Sequence, residues 1–226
     1  MENKKVEVSN EIPIFPLPNI VFFPKTLLPL HIFEERYRKM VEDALSSSRQ
    51  IGMALLKEGW DQDYFGNPAV HKIGCVGDIQ YSEELDDGKY NIMLYGMSRV
   101  QIIKFVQETP YRIAQVKFLK DMKFDRDRFD EDHESSHFMR LVRKYLGEMG
   151  IKKMEEYLDF RSQSFESIVN QVATVIDLST QEKQSLLEKN SLQERFDELQ
   201  KLLQDKLLAL NIARKIKFVP DDPSWN

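Results

Sequence analysis

Ile12-Pro13-Ile14-Phe15-Pro16-Leu17-Pro18-Asn19-Ile20-Val21-Phe22-Phe23-Pro24 is the stretch on which the fold reading turns. Its apolar residues come in short runs broken by proline, as strands do. Glu11 to Leu17 is a strand candidate. Prolines 13, 16 and 18 restrict it to an edge or a bulge, since proline donates no ladder hydrogen bond. Ile20 to Phe23 continues extended up to Pro24, and Leu27-Leu28-Pro29-Leu30 adds further hydrophobes among prolines.

Working outward, Phe33, Tyr37, Met40, Val41, Ala44 and Leu45 recur at three- and four-residue spacing while charged residues fill the gaps, which predicts one amphipathic helix over 33–46. Ile51 to Leu56 follows as a buried strand. Gly59, Gly66, Asn67 and Pro68 mark 57–69 as a loop. Val70 to Tyr81 and Lys89 to Phe105 form a hairpin around Asp86-Asp87-Gly88, with a bend at Gly96, and Tyr111 to Leu119 is the last strand. The first half is therefore a mostly antiparallel sheet, curled toward a barrel, with one inserted helix.

The second half is helical. A charged linker over 121–135 leads to helices near Ser136–Met149, Ser164–Ile176, Thr180–Lys189 and Leu192–Lys215. Ser179 with Glu182 and Ser191 with Glu194 have capping-box spacing, in which both side chains satisfy first-turn N–H groups. The stripe Leu192, Phe196, Leu199, Leu203, Leu207, Leu210 demands burial, in a bundle core or along a dimer seam. The expected class is α+β: a β-rich domain over 1–120, the linker, a helical bundle over 136–219 and a loose tail over 220–226 unless Trp225 docks.

Composition excludes several functions. The 226 residues are 42% hydrophobic and 31% charged with a net charge of −5, which describes a folded chain and argues against a nucleic-acid binder relying on a basic field. Cys75 is the single cysteine, so no internal disulfide or CxxC pair exists. The charged start lacks the apolar core of a secretory signal, and no stretch approaches the ~18 apolar residues of a spanning helix, so a cytoplasmic location and no membrane partner are expected.

Catalytic motifs are sparse. His133-Glu134-Ser135-Ser136-His137 matches HExxH, whose histidines share a helix face and can ligate Zn²⁺ while the glutamate serves as general base. The third ligand would have to be Glu155 or Glu156. Asp130, Glu131 and Asp132 in front of the motif argue for a solvated helix start instead. Gly96-Met97-Ser98-Arg99-Val100 lacks the closing glycine of a nucleophile elbow, and Gly88-Lys89 lacks the glycine of a phosphate loop. His71 and Cys75 lie too far apart along a strand to act together. No cofactor is expected.

The opening segment, continued by Leu28-Pro29-Leu30-His31-Ile32-Phe33-Glu34-Glu35-Arg36-Tyr37, closely resembles the Lon protease N-terminal family, the LON substrate-binding domain. Gly74-Cys75-Val76-Gly77, Asp87-Gly88-Lys89-Tyr90-Asn91-Ile92 and Gly96-Met97-Ser98-Arg99-Val100 add to the match, which covers about residues 11 to 118. The resemblance implies a PUA-like curled β-domain with one helix, then a helical bundle, and recognition of polypeptide substrates. No ATPase or peptidase motif accompanies it, so the expectation is a stand-alone, non-enzymatic polypeptide-binding module, an adaptor for unfolded or damaged proteins working with a separate protease. Phe22, Phe23, Pro24, Leu28 and His31 are its contact candidates. The alternatives are a zinc peptidase using His133, His137 and Glu156, or a structural subunit that oligomerises through the leucine stripe.

Overall fold

The structure, a computed structural model, describes residues 10–63, 66–122, 130–151 and 163–217. The chain divides into two compact units, Met1–Asp121 with Ala173–Lys189, and Met122–Val172 with Asn190–Asn226.

In the first unit the apolar alternation yields six strands: β1 (Glu11–Leu17), β2 (Leu27–Ile32), β3 (Gln50–Leu55), β4 (Ile73–Glu84), β5 (Tyr90–Gln107) and β6 (Arg112–Phe118). Their order is β2-β5-β4-β3-β1-β6, and β6 returns to pair with β5. The ring β5-β4-β3-β1-β6 therefore closes on itself, while β2 lies beside the first part of β5, Tyr90–Tyr95. All pairs are antiparallel except β1 with β3.

β1 corrects the expected edge position: it lies inside the ring. Its neighbours are offset, β6 pairing with Glu11–Ile14 and β3 with Ile14–Leu17. Pro13 and Pro16 each fall where only one neighbour is paired, so neither removes a hydrogen bond that two ladders require. Consecutive β1 residues serve opposite faces. Phe15 joins a cluster with Tyr37, Met40, Val41, Ile51, Ile79 and Leu94, whereas Ile12 and Ile14 join Ala54, Val76, Val100 and Val116.

Helix α1 (Glu35–Leu45) buries Tyr37, Met40, Val41 and Ala44, and the Phe15 and Tyr37 rings meet at 4.3 Å. Phe33, assigned by spacing to that helix face, instead precedes the helix and is 60% exposed. Gly96 packs so closely on the Phe23 carbonyl oxygen that a Cβ there would overlap it, and the β4–β5 register shifts next to it, between Val76 and Gly77.

The helices are α2 (Glu131–Glu148), α3 (Phe165–Val175), α4 (Thr180–Glu188) and α5 (Leu192–Lys217). α2 begins five residues earlier than the sequence suggests, because the Asp130 side chain accepts from the His133 N–H at 3.1 Å and caps the first turn. The C-terminal part of the expected linker is thus helical, while 123–129 lie outside the described residues, as do the tail 220–226 and Trp225. Both capping boxes form: Ser179 N–H donates to Glu182 at 2.6 Å and Glu182 N–H to Ser179 Oγ at 3.2 Å, with the same exchange between Ser191 and Glu194.

In the second unit Leu192, Phe196, Leu199, Leu203 and Leu207 are buried, with Phe138 and Phe165 edge-on to Phe196 at 5.2 and 5.0 Å. Arg195 is fully buried there and donates to Asn170 Oδ1 at 3.2 Å. Helix α4, which sequence places in the bundle, groups with the strands. Polar contacts hold it: Gln184 donates to the Ile73 carbonyl at 3.0 Å, His71 meets Glu188 at 3.2 Å, and the Arg99 guanidinium, itself paired with Asp121, donates to the Leu187 and Lys189 carbonyls.

Candidate functional site

Strand β2 reads Leu27-Leu28-Pro29-Leu30-His31-Ile32, and its alternation assigns Leu28, Leu30 and Ile32 to the core side. Leu27, Pro29 and His31 therefore face out, and all three are exposed. Register extends this face across three strands. Leu27 lies opposite Tyr95; Pro29 opposite Met93, which in turn lies opposite Tyr81; His31 opposite Asn91, which lies opposite Glu83. A register shift between Ile79 and Tyr81 keeps Ile79 buried while Tyr81 turns outward.

The result is two apolar rows and one polar row. Leu27 is 58% exposed, Tyr81 55% and Met97, next along β5, 51%. Rows two residues apart are roughly 7 Å apart along the strands, and three strands span about 10 Å. Phe33 continues the apolar surface past β2, its ring 6.3 Å from that of His31.

Hydrogen bonds order the polar row. His31 Nδ1 donates to Asn91 Oδ1 at 2.9 Å, and the Asn91 amide donates to Glu83 Oε2 at 3.2 Å. At the other end Asp78, opposite Tyr95, accepts from Gln80 at 2.6 Å.

β2 ends the sheet order, so among the described residues no strand pairs with its other edge. Gly96 N–H donates to the Thr26 carbonyl, and from there the antiparallel alternation directs the backbone of Leu27, Pro29 and His31 toward that edge. Pro29 brings no N–H, a common way of blunting an edge against strand addition. The face, not the edge, is the available contact.

The contact candidates named from sequence fare unevenly. Phe22, Phe23 and Pro24 are corrected to core residues: Phe22 is 4% exposed with its ring against Gly77, and Phe23 is fully buried with its carbonyl taken by Thr26 Oγ1 at 2.7 Å. Leu28 is half-buried against the cluster beneath α1. His31 alone stands on the outer face. Sequence reasoning missed Leu27, Pro29, Phe33, Tyr81, Met93 and Tyr95; strict alternation through 27–32 was the available signal, but Tyr81 and Met93 join them only through register.

The HExxH residues lie on α2. His133 has a 70% exposed side chain 3.7 Å from Glu134, and His137 Nδ1 is 3.3 Å from the Arg140 guanidinium, whose charge opposes a cation at that nitrogen. Glu155 and Glu156 lie outside the described residues, and no metal-holding group of three His, Cys, Asp or Glu occurs among the described ones. Ser98 of the elbow-like motif sits within β5, its hydroxyl donating to carbonyls. A cleft between Arg36, Tyr37, Asn67, Glu108, Tyr111 and Arg112 encloses about 20 Å³, enough for one water but not a side chain. Cys75 is fully buried. No described helix is long and apolar enough to cross a membrane.

The model of the ATP-dependent protease La (LON) substrate-binding domain matches residues 11–205. The chain belongs to the LON substrate-binding domain family. The Lon protease of Flavobacterium johnsoniae is 29% identical over 228 residues, covering 96% of this chain and 26% of that protein. That of Dictyoglomus thermophilum is 27% identical over 220 residues, covering 95% and 27%. This LON-family chain thus spans about a quarter of the curated relatives it matches. Among solved structures, the N-terminal domain of the Mycobacterium avium complex Lon protease superposes with a TM-score of 0.63 at 15% identity, over 87% of this chain and 97% of that one. A Lon N-terminal domain protein from Xanthomonas campestris gives 0.56 at 19%, over 86% and 97%. Both bear on the fold, an α+β architecture of a mixed sheet with helices.

Proposed function

We propose that this LON-family chain recognises polypeptides that expose apolar side chains, through the outer face of β2, β5 and β4, and carries out no chemical step on them. The observation that supports this is the outward group of exposed Leu27, Pro29 and Tyr81, with half-buried Tyr95 and Met93 among them and exposed Phe33 beside it. Scattered apolar residues are ordinary on a surface, whereas contiguous ones mark contact sites. The family description, a substrate-binding domain, agrees in kind. Phe22, Phe23 and Pro24 belong to the wall behind that face rather than to the contact.

Magnitude sets the expected affinity. A patch of roughly 400 Å² at about 25 cal/mol per Å² yields about 10 kcal/mol gross. An association cost of at least about 4 kcal/mol leaves a Kd on the order of tens of micromolar. Such weak, reversible contact suits a module that passes polypeptides to separate proteolytic machinery, the adaptor role we assign to it.

Fluorescence anisotropy with labelled apolar peptides tests the reading. Leu27→Ser with Tyr81→Ser, both exposed positions that leave the core intact, is expected to weaken binding at least tenfold, and Leu208→Ser on α5 to leave it unchanged. Absence of binding by the unaltered protein, or equal binding by the double variant, ends the proposal. Purified protein carrying stoichiometric zinc, with peptide cleavage abolished by Glu134→Gln, would replace it with a peptidase.

A further inference from the structure

The polar groups bordering the apolar rows differ in kind from a random rim. On the outward side of β2, β5 and β4 they are His31, Asn91, Glu83, Asp78 and Gln80, and none is a lysine or arginine. Asn91 spends its oxygen on His31 and its amide on Glu83; Gln80 spends its amide on Asp78. The donors are thus directed into the row, and the carboxylates of Glu83 and Asp78 keep acceptor capacity toward solvent, since a carboxylate offers about four lone-pair sites. The cations around this face are held elsewhere: the Arg49 guanidinium donates to the Ile79 backbone carbonyl at 2.8 and 3.2 Å, Lys89 is held by Asp87 at 2.5 Å, and Lys25 lies in the turn before β2.

Glu83 stands two residues beyond Tyr81 on the same face, roughly 7 Å along β4. Side chains two apart on an extended peptide have the same spacing. A peptide that seats an apolar residue on the Met93–Tyr81 row places its i+2 side chain at Glu83, or at Asp78 in the opposite direction. A lysine or arginine there gains a charge-assisted hydrogen bond and, over Tyr81 or Tyr95, a cation–π contact. A glutamate meets like charge.

We infer that this face selects apolar segments flanked by lysine or arginine and discriminates against acidic flanks, an inference that rests on the polypeptide-binding reading above. Steering by the net charge of −5 acts in the same direction, so the test separates the two local carboxylates from the overall field.

Three peptides sharing one apolar core and carrying Lys, Gln or Glu two residues from it are titrated at low and at 300 mM salt against the unaltered protein and against Glu83→Gln with Asp78→Asn. The Lys peptide is expected to bind at least fivefold tighter than the Glu peptide at low salt, with the gap shrinking as salt rises. In the double variant the ratio is expected to fall within twofold while the Gln peptide keeps its affinity. If the Gln peptide binds and the flanks make no difference, or the ratio survives in the double variant, the selectivity is overturned and the polypeptide reading stands. If no peptide binds, the polypeptide reading itself fails and takes the selectivity with it.

Discussion

Arg99 is 4% exposed, and its guanidinium donates to the Leu187 and Lys189 carbonyls at the end of α4 and to Asp121. Charge near the C-terminus of a helix complements its dipole, and the planar fork reaches three acceptors that an ammonium cannot. Arg99→Met is expected to lower stability by about 3 kcal/mol, and Arg99→Lys to recover little of it, as read from the midpoint of urea unfolding. Tyr111 carries a second residue-scale expectation. Burial, and then its hydrogen bond to Asp43 at 2.8 Å, push its phenol up to about 12. A folded value above the unfolded one near 10 means that stability is full below pH 10 and is lost as pH rises toward 12. Asp43 runs the other way: Lys39, then Tyr111, hold its carboxyl below the usual range, so its contribution persists above the ordinary value of 3.8 and disappears as pH falls through the depressed one. Ultraviolet titration should find a tyrosine ionising at about pH 12 that is missing from Tyr111→Phe; its persistence in that variant would refute the assignment.

At the scale of elements, caps and close approaches set the boundaries. Ser179→Ala removes one arm of the α4 capping box and is expected to cost about 1 kcal/mol, measurable by thermal melting, with Ser179→Asp restoring most of it. Two glycines should respond oppositely to alanine. A Cβ on Gly96 has nowhere to go against the Phe23 carbonyl, whereas one on Gly147, near the end of α2, meets nothing within 4 Å. Gly96→Ala is expected to unfold or strongly weaken the β unit, and Gly147→Ala to gain up to about 1 kcal/mol; equal effects in calorimetry would contradict the packing described. The capping boxes and the α5 stripe were legible because each is a local pattern, satisfied within one or two turns. The site of β1 was not, since whether a proline sits at an edge depends on which neighbour covers each half of the strand, a fact of pairing rather than of sequence.

For the whole molecule, the chain leaves the β unit after Asp121 and returns to it for Ala173–Lys189. A fragment ending at Asp121 therefore lacks α4. It loses the Leu187 and Lys189 carbonyls that accept from Arg99, Gln184 on the Ile73 carbonyl and the buried Leu186 and Leu187. We expect such a fragment to melt several degrees below the full chain and to bind a dye that reports exposed apolar surface; a fragment as stable as the full chain would count against the grouping.

Periodicity, punctuation and capping spacing determined by themselves the class of this protein, a strand-rich half followed by helices, and the opening motif carried its family, because both rest on contacts between residues near in sequence. Tertiary structure alone decided which hydrophobes face water. Phe22 and Phe23 are among the most apolar residues of the chain and are buried; Leu27, Tyr81 and Met93 come from three separate segments and share a surface only because strand register sets them side by side. Residue type sets how strongly a side chain avoids water, but long-range pairing sets which of them can.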